Sequence, residues 1–180
     1  MAIQRLTIDG YGQIELNKAP FRRSGRIEAQ CKIAEGLDFV ENGMVLLIDR
    51  ANRVCRAQTS MTGDELFGLN YTTEHMYDER ACALKDFKLD KDTFLPRLAI
   101  VGPGDSWTTN CLAYDTTDFA DDETFKSGVT PGMYAIPSMT GALVVKKSKP
   151  TTGAGVQLFA KVVKVTTMPD GQFALQFDAV

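Results

Sequence analysis

Two stretches of the chain alternate apolar and polar residues with the period of a β-strand. The first is Arg26-Ile27-Glu28-Ala29-Gln30-Cys31-Lys32-Ile33. Successive side chains of a strand point to opposite faces. Ile27, Ala29, Cys31 and Ile33 would therefore share a buried face, and Arg26, Glu28, Gln30 and Lys32 the other. The second stretch lies towards the C-terminus. Leu158 to Thr167 is rich in β-branched residues, and Phe173, Leu175 and Phe177 alternate after it. Between them, Met168-Pro169-Asp170-Gly171-Gln172 has the chemistry of a turn, because proline presets φ while Asp and Gly tolerate turn conformations. A hairpin is expected there.

Shorter strands are expected between these two stretches. Met44 to Asp49 is a continuous apolar run, which suits a strand buried on both faces. Asp49-Arg50-Ala51-Asn52 would turn it into Arg53 to Gln58. Leu66 to Thr72, Arg97 to Val101, Trp107 to Tyr114, Met133 to Ile136 and Ala142 to Lys147 complete the set. Gly102-Pro103-Gly104, Thr130-Pro131-Gly132 and Lys149-Pro150 separate several of them. Helix signals are sparse. Thr62 to Leu66 would form one capped turn, and Asp78 to Phe87 reads as extended or irregular. The first 25 residues hold Gly10, Gly12, Pro20 and Gly25 with little alternation, which predicts an extended arm or short hairpin. Residues 26–180 would then form a β-rich domain, as one unit or two subdomains. The fold class expected is mainly β: a small barrel or sandwich of short, mostly antiparallel strands with little helix.

Charge narrows the partners. The 180 residues carry 20 basic and 23 acidic side chains, net −3. A nucleic-acid-binding domain usually has a basic excess, so none is expected to bind here. No apolar run approaches the roughly 20 residues needed to cross a bilayer, and the first residues lack the pattern of a secretory signal. No membrane partner is expected, and the protein is expected to be made in the cytoplasm. Cys31, Cys55, Cys82 and Cys111 are spaced 24, 27 and 29 residues apart. Without close pairs they do not read as zinc ligands. In a reducing compartment they read as free, mostly buried thiols.

Each residue type able to carry chemistry has a structural reading beside the functional one. His75 is the single histidine, and no nucleophile elbow accompanies it, so a loop or surface role is expected. Val101-Gly102-Pro103-Gly104-Asp105 lacks the lysine and hydroxyl of a phosphate-binding loop and reads as a turn. Asp115, Asp118, Asp121, Asp122 and Glu123 form an acidic segment without EF-hand spacing. It reads as a solvated loop rather than a metal site, or as a contact for a basic partner surface. Lys18, Arg22, Arg23 and Arg26 cluster without an intervening acid. The candidate partner contacts are accordingly Lys18, Arg22 and Arg23 from the basic arm, and Asp118, Asp121 and Asp122 from the acidic segment. These two groups could meet head to tail between copies. Trp107 reads as core, with an exposed sugar platform or interface anchor as its alternative. No catalytic residue, cofactor or metal is expected.

A resemblance gives these features a common setting. The start Met1-Ala2-Ile3 and the segments Asn42 to Asp49, Leu95 to Asp105 and Ala160 to Thr167 resemble, in style rather than by a diagnostic motif, small virion structural proteins of tailed bacteriophages. Capsid cement or decoration proteins are the nearest type. The resemblance implies a β-rich protein on the outer surface of the major capsid protein shell, assembled in the host bacterial cytoplasm. Its partners would be the major capsid protein and copies of itself, so a homo-oligomer is implied. Contacts would come from loops, a terminal arm and exposed strand edges. Tail or neck roles are alternatives. So is a carbohydrate-binding β-sandwich that uses Trp107 and Tyr114, and so is an enzyme whose carboxylates or His75 converge only in the fold.

Overall fold

The computed structural model describes residues 2–17, 26–72, 83–151 and 159–180. The protein is mainly β. One sheet has eight strands, in the order β1 (Ile3–Arg5), β12 (Leu112–Asp115), β14 (Leu143–Lys146), β13 (Tyr134–Ile136), β15 (Ala160–Thr167), β16 (Phe173–Ala179), β11 (Ser106–Thr109) and β2 (Ile14–Leu16). A second has six, in the order β3 (Ile27–Glu28), β10 (Leu98–Ala99), β8 (Leu66–Asn70), β6 (Val45–Asp49), β7 (Val54–Arg56) and β4 (Lys32–Ile33). β5 (Phe39–Val40) and β9 (Leu89–Asp90) form a short pair. Pairing is antiparallel except for β12 with β14 and β4 with β7.

Two buried clusters organise the packing. The larger is aromatic and lines the inner face of the eight-stranded sheet, with Trp107, Tyr114, Phe159, Leu175 and Phe177 among its members. The smaller is aliphatic and contains Cys31, Cys55 and Cys111. β6 separates them. Val45 and Leu47 enter the aromatic cluster, whereas Met44, Leu46 and Ile48 enter the aliphatic one. This is the both-faces burial expected of the unbroken apolar run. β8 beside it needs Gly68, because a Cβ there would lie 2.8 Å from both Ile48 Cδ1 and Leu98 Cβ.

Buried polar groups tie the sheets together. Arg5 forks onto the carboxylate of Glu41, which also accepts from the Gly12 N–H. Asn42 accepts from the Thr72 N–H at 2.8 Å, and Asn70 donates to the Glu41 carbonyl at 2.9 Å. Gly43 has φ +87°, a conformation open to glycine without strain. A side chain there would also collide with Thr109.

The hairpin expected at the C-terminal end is present as β15 and β16, turned by Met168–Gln172 with Gly171 at φ +87°. Other expectations need correction. Arg26–Ile33 is two strands rather than one, and these occupy opposite edges of the six-stranded sheet. The sheet curls until Ala29–Cys31 spans edge to edge, and the Glu28 carboxylate accepts from the Gln30 N–H at 3.0 Å across the bend. Ile27 is 46% exposed as a result, while Cys31 and Ile33 are buried. Trp107–Tyr114 is also two strands. The break at Asn110–Cys111 resets the alternation, so both aromatic rings enter one core although their numbers differ in parity. Residues 2–17, expected as part of an arm or hairpin, supply β1 and β2 at opposite edges of the large sheet. Thr62–Glu65 forms no helical turn; Glu65 instead accepts from Thr62 and Gly63 as a polar loop.

Candidate functional site

The acidic segment, expected as a solvated loop, is exposed at Asp121 and Glu123 but is tied into the fold at Asp115, Asp118 and Asp122. Asp121 caps a helix, α1 (Asp122–Gly128), by accepting from the Thr124 N–H at 2.8 Å, while the Thr124 hydroxyl meets the Asp121 backbone. These bonds lower the Asp121 pKa. Asp122 accepts from the Tyr114 hydroxyl at 2.8 Å and from the Thr7 N–H at 3.1 Å. Burial opposes its ionisation, but the two donors prevail and its pKa is lowered. The Tyr114 phenol is pushed up to about 12, first by burial and then by Asp122. Phe125 stacks on Tyr114 with centroids 5.0 Å apart, which seats α1 against the core. The sequence cue for α1 was Asp121 followed three residues later by Thr124, a capping pair with Thr in place of Glu or Gln.

Asp118 lies 3.9 Å from Lys146 Nζ. Of the three acidic contact candidates, Asp121 is exposed, and Asp118 and Asp122 are half-buried in intramolecular bonds. Lys18, Arg22, Arg23, His75 and Cys82 lie outside the described residues. Cys31, Cys55 and Cys111 are free and buried, and burial raises all three pKa values, Cys55 and Cys111 to about 12. Trp107 and Tyr114 have no exposed ring face. The sugar-platform reading of these two residues is therefore overturned.

A cluster of aromatic and basic side chains that sequence reasoning missed lies on the outer face of the eight-stranded sheet. Residues directly opposite each other on paired strands share a face. Tyr134 stands opposite Lys146 on one side and Lys161 on the other. The row continues to Asp115, which is ion-paired with Lys146, and to Asp178, which stands opposite Lys161. A β-bulge at Val163, between the Val162–Phe177 and Lys164–Gln176 pairs, resets the alternation. It keeps Val162 and Val165 against the aromatic core and turns Lys164 outward with Gln176. Lys149 and Lys161 bring their ammonium groups to 5.5 and 6.0 Å from the centroid of the Tyr134 ring. Both distances are within reach of cation–π attraction.

The charges along this row are unevenly paired. Lys146 bonds the buried carboxylate of Asp115, which also accepts from the Thr117 N–H and hydroxyl at 3.0 and 2.9 Å. Burial raises the Asp115 pKa, but the Lys146 and Thr117 bonds outweigh it and hold the group at about 2. Lys149, Lys161 and Lys164 are exposed, and none has an ion pair among the described residues. The same face changes character along the strands. Ala113, Val144 and Ile136 cover the aliphatic core, and two residues further along each strand Asp115, Lys146 and Tyr134 lie beyond it.

At the margin of this face, β1 is an edge strand. The Leu6 N–H donates to the Leu112 carbonyl and the Ala2 carbonyl accepts from the Thr116 N–H, so the backbone groups of Ile3 and Arg5 point away from the sheet. Exposed Ile3 and Met139 flank an apolar recess of about 120 Å³ beside it. Comparison with family models, with curated proteins and with solved structures finds no match to this chain.

Proposed function

We propose that this chain is a decoration or cement protein of a tailed-bacteriophage capsid, which binds the outer surface of the major capsid protein shell and stabilises the head. The observation that carries this reading is the division of labour across the large sheet. The aromatic rings on its inner side are buried in packing, while one end of its outer side presents lysines around Tyr134, and β1 lies at the sheet margin as an edge strand. That is material for contact with a protein surface. The resemblance of Asn42–Asp49, Leu95–Asp105 and Ala160–Thr167 to virion structural proteins supplies the setting. On a repeating lattice, a modest contact repeated in every copy adds up through multivalency and raises the barrier to shell rupture.

The test is to add purified protein to expanded heads that lack it. Binding to the heads and a raised temperature of disruption are expected. Failure to bind at any salt concentration rejects the proposal, and binding to isolated tails or necks in preference to heads moves the protein to another part of the virion.

A further inference from the structure

We infer that the outer face of the large sheet around Tyr134 is a docking surface for a carboxylate-bearing protein surface. This deepens the proposed function by naming the contact face and the charge of its partner, and it rests on that reading only for the identity of the partner.

Three features converge on one place. Tyr134 is half-buried at the centre of a cross-strand row, so its ring is held by the sheet and loses little freedom on binding. Lys149 and Lys161 both bring their ammonium groups near the ring, and Lys164 is brought onto the same face by the bulge at Val163. Two of the acids on this face, Asp115 and Asp118, face Lys146 rather than these three lysines, and Asp178 stands opposite Lys161. Residues 147–151, which follow β14, contain no acidic residue.

Charge complementarity selects the occupant. A protein surface bearing Asp and Glu matches ammonium groups that have no ion pair among the described residues, and Tyr134 offers an apolar anchor between them. A nucleic acid fits less well, because a domain that holds one usually carries a basic excess and this chain is net −3. A second copy docking the same face would set lysines against lysines.

The experiment compares the full-length protein with a Lys149→Glu/Lys161→Glu variant, and with a Lys32→Glu/Lys91→Glu control that reverses two charges elsewhere. The first probe is poly-L-glutamate, with binding followed by NMR line positions and by titration. We expect saturable binding centred on Tyr134 and its strand neighbours. It should weaken about tenfold or more in the first variant and less than about twofold in the control. It should also fall steeply as salt rises through the range where the screening length drops below about 8 Å. Absence of binding, equal loss in the control, or stronger binding of a single-stranded oligonucleotide overturns the inference. Unchanged thermal unfolding of both variants shows that the losses are not losses of fold.

The second probe is the expanded head. If the Lys149→Glu/Lys161→Glu variant binds heads as well as the parent does, the docking face is wrong and the capsid reading stands. If neither binds heads while the poly-L-glutamate pattern holds, the docking face stands and the capsid reading falls.

Discussion

The two faces of the eight-stranded sheet are written by the same strands, yet they obey different physics. On the inner face, Trp107, Tyr114, Leu175 and Phe177 are removed from water and packed ring against ring, with Trp107 and Phe177 centroids 6.0 Å apart. On the outer face, one residue away along each strand, Ser106, Asp115, Gln176 and Asp178 join Lys146, Tyr134 and Lys161. The inner face is buried in the aromatic core, whereas the outer face is buried at Ser106, at Asp115 and over the aliphatic core, and exposed at Lys161 and Lys164. The difference teaches that stability follows burial rather than face alone, so substitutions should divide by how deeply each side chain is buried.

The largest effect should come from the inner face. Phe177→Ala should cost about 3–5 kcal/mol in chemical denaturation, the usual range for emptying an aromatic site in a packed core. A loss below that of any outer-face substitution would break the comparison. Next is Asp115→Asn, which leaves Lys146 half-buried without its carboxylate. A loss of about 1–3 kcal/mol is expected, reduced from the fully buried case because Lys146 keeps some contact with water. The same variant carries a signature in acid. Asp115 has a folded pKa of about 2, below its ordinary value of 3.8. Its contribution is therefore fully present above about pH 4 and is lost as pH falls towards 2, when the folded state must take up the proton that the unfolded state already holds. Unfolding curves of the parent should weaken through that window, and those of Asp115→Asn should weaken less.

Smaller effects sharpen the boundary between the faces. Asp121→Ala should cost about 1 kcal/mol by removing the cap of α1, read as a lowered unfolding midpoint with an unchanged denaturant slope. Lys164→Ala should change stability by no more than about 0.5 kcal/mol, because an exposed side chain opposite the neutral Gln176, with no ion pair among the described residues, has little to lose. A larger change would mean that the outer row is part of the scaffold. Thiol titration of the native protein at neutral pH should leave Cys31, Cys55 and Cys111 unlabelled until denaturant is added, since burial keeps each thiol protonated and out of reach.

Local pattern made much of the fold legible. The apolar run through Met44–Asp49 forced burial on both faces, and Pro169-Asp170-Gly171 between two alternating stretches marked the hairpin. Pattern misled where the chain changes partners without changing composition. Arg26–Ile33 alternates throughout, yet it bends at Ala29–Cys31 because a curled sheet brings its two edges within a few residues of each other. The candidate site was less legible. Tyr134, Lys146, Lys149, Lys161 and Lys164 come from three strands and a loop, and no short window of sequence holds Tyr134 with the lysines.

What the sequence determined by itself was the kind of structure: strands from period-two alternation, turns from Pro, Asp and Gly, and burial of the apolar set. These follow from interactions within a few residues. Only the tertiary structure decided which strands became neighbours, where alternation broke, and which polar residues were consumed internally. The acidic segment read as solvent-facing until the fold set Thr7 and Tyr114 against Asp122, and Lys146 against Asp115. A bulge of one residue at Val163 decided that Lys164 faces outward. Register and partner choice depend on contacts between residues far apart in the chain, and those contacts exist only once the sheet has closed around its core.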